Sequence, residues 1–286
     1  MAIVATLSPR PAVDLRGPDS RRFANGMFTN NVRDLPVGAS QRSAMTDDRG
    51  RVLALMELHA LADDHFRVVL EGISADEFVE RYERYVVFDD VELEPLGNVT
   101  VQTVQGPGAD QVLRGHELPV PGDAQHVVVE GGMVVWSDRG GPGYDLVGLE
   151  ALPETPEAST EAERLRIGAA RARFPVDFAA PTLPHEHGLR DAALHFEKGC
   201  YLGQESIHRI DVMGKPRRAL TVVHLEAPAA PGPVSFEGRA VGKITSVVPL
   251  AEGGALALAV LKKPADEPGA TVDVGGVVGR AVPPRR

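Results

Sequence analysis

The spacing of apolar positions divides the chain into a first part where strand-like and helix-like stretches alternate and a last part that is strand-like throughout. Ala12–Leu15 alternates as a short strand. Phe23, Met27 and Phe28 mark one buried helix face behind Asp19 and Ser20, either of which is a suitable cap. Gln41–Thr46 and Arg51–Leu61 read as a hairpin around Asp47-Asp48-Arg49-Gly50, with His65–Leu70 as a third strand beyond Asp63-Asp64. Ser74-x-x-Glu77 is a capping box that opens a helix to about Tyr85, with Phe78, Tyr82 and Tyr85 as its buried stripe. Strands are expected over Val86–Glu94 and Val99–Gln105, then a short helix over Asp110–Leu113. His126–Val129 and Met133–Trp136 form a hairpin turning at Glu130-Gly131-Gly132. Thr160-x-x-Glu163 predicts a capped helix over Glu161–Arg173 that turns Leu165, Ile167 and Ala170 to the core.

Beyond a Pro-punctuated loop, Pro181–Leu189, and one more helical stretch, the texture changes. Leu220–Leu225, Val234–Phe236, Ala240–Val248, Ala255–Leu261, Thr271–Val274 and Val277–Val282 are short apolar strands separated by Gly, Pro and charged turns, the pattern of a small antiparallel barrel or sandwich. The expected fold class is α+β, with antiparallel sheets, packed helices and a small C-terminal β-barrel. The expected boundary separates residues 1–217, themselves two intertwined subdomains, from 218–286. Antiparallel hairpins among the helices argue against a parallel nucleotide-binding sheet. Gly106-Pro107-Gly108 is too short to be a phosphate-binding loop.

With 43% hydrophobic residues over 286 positions, the chain can bury a sizeable core. A single cysteine excludes an intramolecular disulfide and fits a reducing compartment. No charged leader and no apolar run of about 18 residues is present, so a cytoplasmic location away from membranes is expected. A net charge of −10 repels phosphate backbones, and the one basic cluster along the chain is Lys215-Pro216-Arg217-Arg218. Direct nucleic-acid binding is therefore not expected.

Candidate chemistry gathers in Lys198-Gly199-Cys200-Tyr201-Leu202-Gly203-Gln204-Glu205, which holds the lone cysteine between two glycines ahead of a helical pattern. A thiol at a helix start, with Lys198 nearby, would gain thiolate character. The plainer alternative is a small buried hydrophobe. Glu205 and Arg209 have the spacing of a helix-surface ion pair. Upstream, Pro184-His185-Glu186-His187 offers two imidazoles around a carboxylate, with His195 and Cys200 as further ligands. It lacks the His-Glu-x-x-His spacing that sets two imidazoles on one helix face, and no metal is expected.

The octapeptide resembles the signature of the YgfZ family, folate-binding relatives of the glycine-cleavage T-protein. Further stretches are similar to that superfamily: Val13–Asn31, with Asn31 where the pattern has aspartate; Gly140–Val147; Arg164-x-Arg166-Ile167-Gly168; the Pro-x-Glu loop at Pro184–Glu186; and Val241–Ser246. The resemblance implies tetrahydrofolate as cofactor, with Glu186 pairing to the 2-amino group and adjacent N–H of the pterin. Phe178, Leu183, Leu189 and Tyr201 would line an apolar slot, with Tyr201, Gln204 and Glu205 among the binding residues. Cys200 would be the reactive thiol, supported by Lys198. It implies a role in iron–sulfur cluster assembly or repair, and through it tRNA modification, with iron–sulfur client or assembly proteins as partners. One cysteine cannot hold a cluster unaided. Two alternatives stay open: a folate-dependent aminomethyltransferase or demethylase, and a non-catalytic scaffold with a buried cysteine. Against the first, Gly50–Met56 has no carboxylate where T-proteins carry their catalytic aspartate.

Overall fold

The structure is a computed structural model that describes residues 1–214 and 216–284; Lys215 of the basic turn lies outside the described residues. In chain order the elements are β1 (Ile3–Arg16), α1 (Ser20–Met27), β2 (Ser40–Thr46), β3 (Val52–Ala62), β4 (His65–Glu71), α2 (Ala75–Glu83), β5 (Glu92–Gln105) and α3 (Ala109–Gly115). They continue with β6 (His126–Val129), β7 (Gly132–Trp136), β8 (Gly143–Val147), α4 (Ala158–Gly168), a 3-10 turn at Pro184–His187, α5 (Arg190–Ala193) and α6 (Gln204–Met213). Last come β9 (Arg218–Leu225), β10 (Gly232–Phe236), β11 (Arg239–Pro249), β12 (Ala255–Lys262), β13 (Thr271–Val274) and β14 (Val277–Val282).

Strands β1–β8 form one antiparallel sheet in the order β2-β3-β4-β1-β5-β8-β7-β6. It curls until its edges nearly meet. Ser40 N–H donates to Ala124 O at 2.7 Å and His126 N–H to Gly38 O at 2.8 Å, so the backbone leading into β2 joins that leading into β6. Helices α1 and α2 cover one side of β1–β4, burying Phe23, Phe28, Phe78 and Tyr82 against Leu15, Met56 and Leu58. Ser74 caps α2 as expected, accepting from Glu77 N–H at 3.1 Å. Strands β9–β14 close a six-stranded barrel around Val223, Ile244, Leu261 and Val272. Helix α4 reaches the barrel through Ile167, which packs on Val222, Leu256 and Leu258.

The expected class, α+β with a C-terminal barrel, matches this architecture, and several element boundaries move. Val86–Val91 is irregular, and in place of the two expected strands stands the single long β5, bulged against β1 near Leu7–Arg10 and Ala12–Val13. Strand β1 begins at Ile3, far ahead of the expected Ala12, because the bulges let Pro9 and Pro11 sit in the ladder region. Helix α4 runs from Ala158 to Gly168 behind Glu157 in the left-handed region (φ 56°), so Thr160 lies inside it and caps nothing. Asp19 does not cap α1 with its side chain; its carboxylate accepts instead from Asp90 N–H at 2.9 Å.

Candidate functional site

The octapeptide docks on the stretch between α1 and β2. Lys198 is buried, and its Nζ donates to Phe28 O at 2.6 Å and Asn30 O at 2.7 Å, with the Tyr201 ring 4.9 Å away. Burial, with Arg33 adding repulsion, pushes the Lys198 amine down to about 7. Around it, Thr29 Oγ1 donates to Ala193 O at 2.7 Å, His195 N–H to Thr29 O at 3.0 Å, Leu202 N–H to Gly26 O at 3.1 Å and Thr46 Oγ1 to Leu202 O at 2.8 Å. The hairpin turn Asp47–Gly50 meets the motif glycine to glycine. Gly203 has φ 83°, and a Cβ there would stand 2.4 Å from Asp47 O; one on Gly50 would stand 2.8 Å from Gly203 O. Only glycine fits either position.

This docking revises several expected roles. Helix α6 starts at Gln204 behind Gly203, so Cys200 stands outside the first turn and draws no support from the helix dipole. Cys200 is exposed, which overturns the buried-hydrophobe alternative. Lys198 is committed to two carbonyls. Gln204 Oε1 accepts from Tyr201 N–H at 2.9 Å and so holds the turn. Tyr201 is buried with Leu194 and Ile207, its hydroxyl pushed up to about 12 by burial, and it lines none of the cavities near Glu186. Glu205 points to solvent and pairs with Arg209 at 2.8 Å.

Glu186 lies apart from that cluster, half-buried on the 3-10 turn, and is shared by two cavities. One, of about 470 Å³, runs to the barrel between Phe178, His187, Lys243, Val260 and Lys262. The other, of about 610 Å³, is walled by Leu183 and Ile210 and by Arg49, Arg51 and Arg209. Thr182 and Arg218 border both. The fold thus gathers cations that are scattered along the chain, a local reversal of the acidic balance. Phe178 and His187 stack at 4.1 Å and 7° to make a flat wall. Burial pushes His187 down to about 4 against the opposing pull of Asp177. His185 turns the other way, 3.7 Å from Asp211, so the two imidazoles diverge. Leu189 lines neither cavity; it packs on Leu55 and Phe174.

A third cavity, of about 660 Å³, lies within the curl of the sheet and holds residues that sequence reasoning missed. Arg42, Glu57, His59, Trp136, Arg171 and His187 are among its walls. Burial works to raise Glu57, but Arg139, Arg171, Arg10 and Arg42 outweigh it and hold the carboxyl down to about 2. Leu55, one pleat back on β3, is buried among apolar side chains.

A sequence-family model described as the GCVT N-terminal domain matches residues 2–120. A chloroplast protein of Arabidopsis thaliana, named as a transferase, is 26% identical over 96% of this chain and 68% of its own length. The tRNA-modifying protein YgfZ of Photobacterium profundum is 26% identical over 89% of this chain and 82% of its own. Among solved structures, the glycine cleavage system aminomethyltransferase T of Bartonella henselae superposes with a TM-score of 0.84, covering 98% of this chain and 84% of that one at 20% identity. Residues 2–120 thus match the GCVT N-terminal domain, the chain has the fold of aminomethyltransferase T, and its sequence is similar at a distance to the YgfZ proteins.

Proposed function

We propose that this protein binds a tetrahydrofolate-type reduced pterin at Glu186 and supports iron–sulfur cluster assembly or repair, through which it serves tRNA modification. The observation that carries the folate reading is the Glu186 carboxylate, without an ion-pair partner among the described residues, at the junction of two cavities with apolar and cationic walls. A carboxylate accepts the paired N–H donors of a pterin edge. The flat Phe178–His187 wall suits an aryl group, and Arg218, Lys243 and Lys262 suit the carboxylates of the tail. The tRNA role draws on the name of the Photobacterium relative, and iron–sulfur assembly on the likeness of the octapeptide.

Binding fits this site better than aminomethyl transfer. Where the T-protein pattern places its aspartate the strand carries Ala54 and Leu55, and the nearest carboxylate, Glu57, is held too acidic to take a proton near neutrality. Cys200 is the exposed thiol through which a cluster or a client protein would be met, a second ligand source being needed for a whole cluster.

Tetrahydrofolate titration of wild type and Glu186→Ala tests the first claim. The expected result is saturable binding that weakens by roughly tenfold or more in the variant, as for loss of a charged hydrogen-bond pair. Absence of binding to wild type would sink it. Cys200→Ser tests the second: native Cys200 reacts readily with a thiol reagent, and the serine variant fails to restore an iron–sulfur enzyme in a strain lacking the protein. Full restoration would remove the thiol from the mechanism and leave folate binding standing.

A further inference from the structure

We infer that the curl of the sheet is closed by an acid-sensitive seam, which Ser40, His59 and His126 hold shut while both imidazoles are neutral and which parts when they gain protons. The seam lies where the backbone ahead of β2 meets that ahead of β6. Ser40 N–H donates to Ala124 O at 2.7 Å there, and His126 N–H to Gly38 O at 2.8 Å. Ala39 faces Gln125 as an isolated bridge, whereas neighbouring strands within the sheet share whole ladders. A junction this short is the kind of place where a fold opens locally.

Side chains reinforce the junction. Ser40 and His59 are cross-strand partners on β2 and β3. Ser40 Oγ lies 2.8 Å from His59 Nδ1 and 3.0 Å from His126 Nδ1. A hydroxyl has one proton to give, so it donates to one of these nitrogens and accepts from the N–H of the other. That sharing needs one Nδ1 without a proton. The rings meet edge to face with centroids 5.6 Å apart; His59 is fully buried and His126 is 5% exposed.

The charged groups that face His59 offer a second proton no free partner. Glu57, two residues along β3, lies 3.4 Å from Arg171, and Asp145 on β8 is held by Arg139. Arg67 on β4 and His126 on β6 repel a charged ring. Burial pushes His59 down to about 4 against the pull of Glu57, with His126 and Arg67 adding to the fall and Asp145 opposing it. Burial lowers His126 as well, against a hydrogen bond to the Ala39 backbone. A histidine released into water returns to its ordinary value of about 6.5. The open seam therefore binds protons that the closed one refuses between about 6.5 and about 4, and falling pH through that window favours opening. Ser40, His59 and Ala124 also line the interior cavity, so parting the seam opens the side of that cavity.

Hydrogen exchange read amide by amide on the full-length protein, at about pH 7 and about pH 5, tests this once each rate is divided by its intrinsic rate at that pH. The opening constant at Ser40 and His126 is expected to rise roughly twentyfold from His59 alone, and further with His126. Amides of β1 and β5, in the middle of the sheet, keep theirs, and the far-UV circular dichroism spectrum does not change. The double variant His59→Gln, His126→Gln loses the rise, since glutamine does not titrate. An opening constant at the seam that stays level in wild type would overturn the inference, whatever the variant does. An equal rise in β1 and β5 would mean acid unfolding of the whole domain and overturn it too, as would a rise that persists in the double variant.

Discussion

At the scale of single residues, Lys198 shows how context redirects a side chain. Its ammonium looked available to the thiol two positions away, but it is buried under Tyr201 and spends its donors on Phe28 and Asn30. Folding lowers its pKa from 10.5 to about 7. Between those values the unfolded chain carries a proton that the folded one has released, so stability rises with pH from about 7 to about 10. Lys198→Met removes that slope. It also leaves two carbonyls without a donor, a cost of about 1–3 kcal/mol each. Denaturant midpoints at neutral and alkaline pH check both; a slope that survives in the variant would mean another group carries it.

At the scale of elements, the regular hairpins were legible because each alternates apolar and polar residues around a recognisable turn, as Gln41–Thr46 does against the strand beyond Gly50. The misreadings come from places where local signals compete with long-range pairing. Val86, Val87 and Phe88 look like a strand, yet no strand among the described residues pairs with them and Phe88 is 92% exposed. Thr160-x-x-Glu163 has the letters of a capping box, but Glu163 is engaged with Arg166 and Arg173 inside α4. The octapeptide and the Glu186 loop could be found along the chain; the inner cavity could not, because Arg42, Glu57 and Arg171 meet only when the sheet curls. The Gly50–Gly203 contact belongs at this scale too. Gly203→Ala forces the turn off the hairpin and out of its left-handed geometry, and a loss of at least about 2 kcal/mol is expected. Chemical denaturation measures it; a midpoint equal to wild type would show that the turn can shift freely.

At the scale of the whole molecule, one carboxylate fastens the barrel to the rest. Asp177 is fully buried; it accepts from Arg166 at 2.7 Å, Arg173 N–H at 2.8 Å, Thr245 Oγ1 at 2.7 Å and Ser246 Oγ at 2.5 Å. The Thr-Ser pair that resembled a family motif in the barrel thus has a structural use: it grips the loop that leads to Glu186. Asp177→Asn leaves Arg166 paired with Glu163 alone and turns a charged acceptor of four hydrogen bonds into a neutral amide, at an expected cost of about 1–3 kcal/mol. A scanning calorimetry trace should also broaden or split if the barrel then melts apart from the curled sheet; an unchanged single transition would argue against the joint.

The docking of the octapeptide also has a consequence for synthesis. The carbonyl of Phe28 waits for a lysine 170 residues downstream, and that of Asn30 for the same side chain 168 residues on. At the ~5–20 residues per second of translation, that interval is roughly 10–30 s. Throughout it the nascent N-terminal sheet carries an unclaimed groove between α1 and β2. A ribosome-bound chain of this protein is therefore a natural client for chaperones, and a truncation ending before Lys198 should persist in their company instead of folding alone.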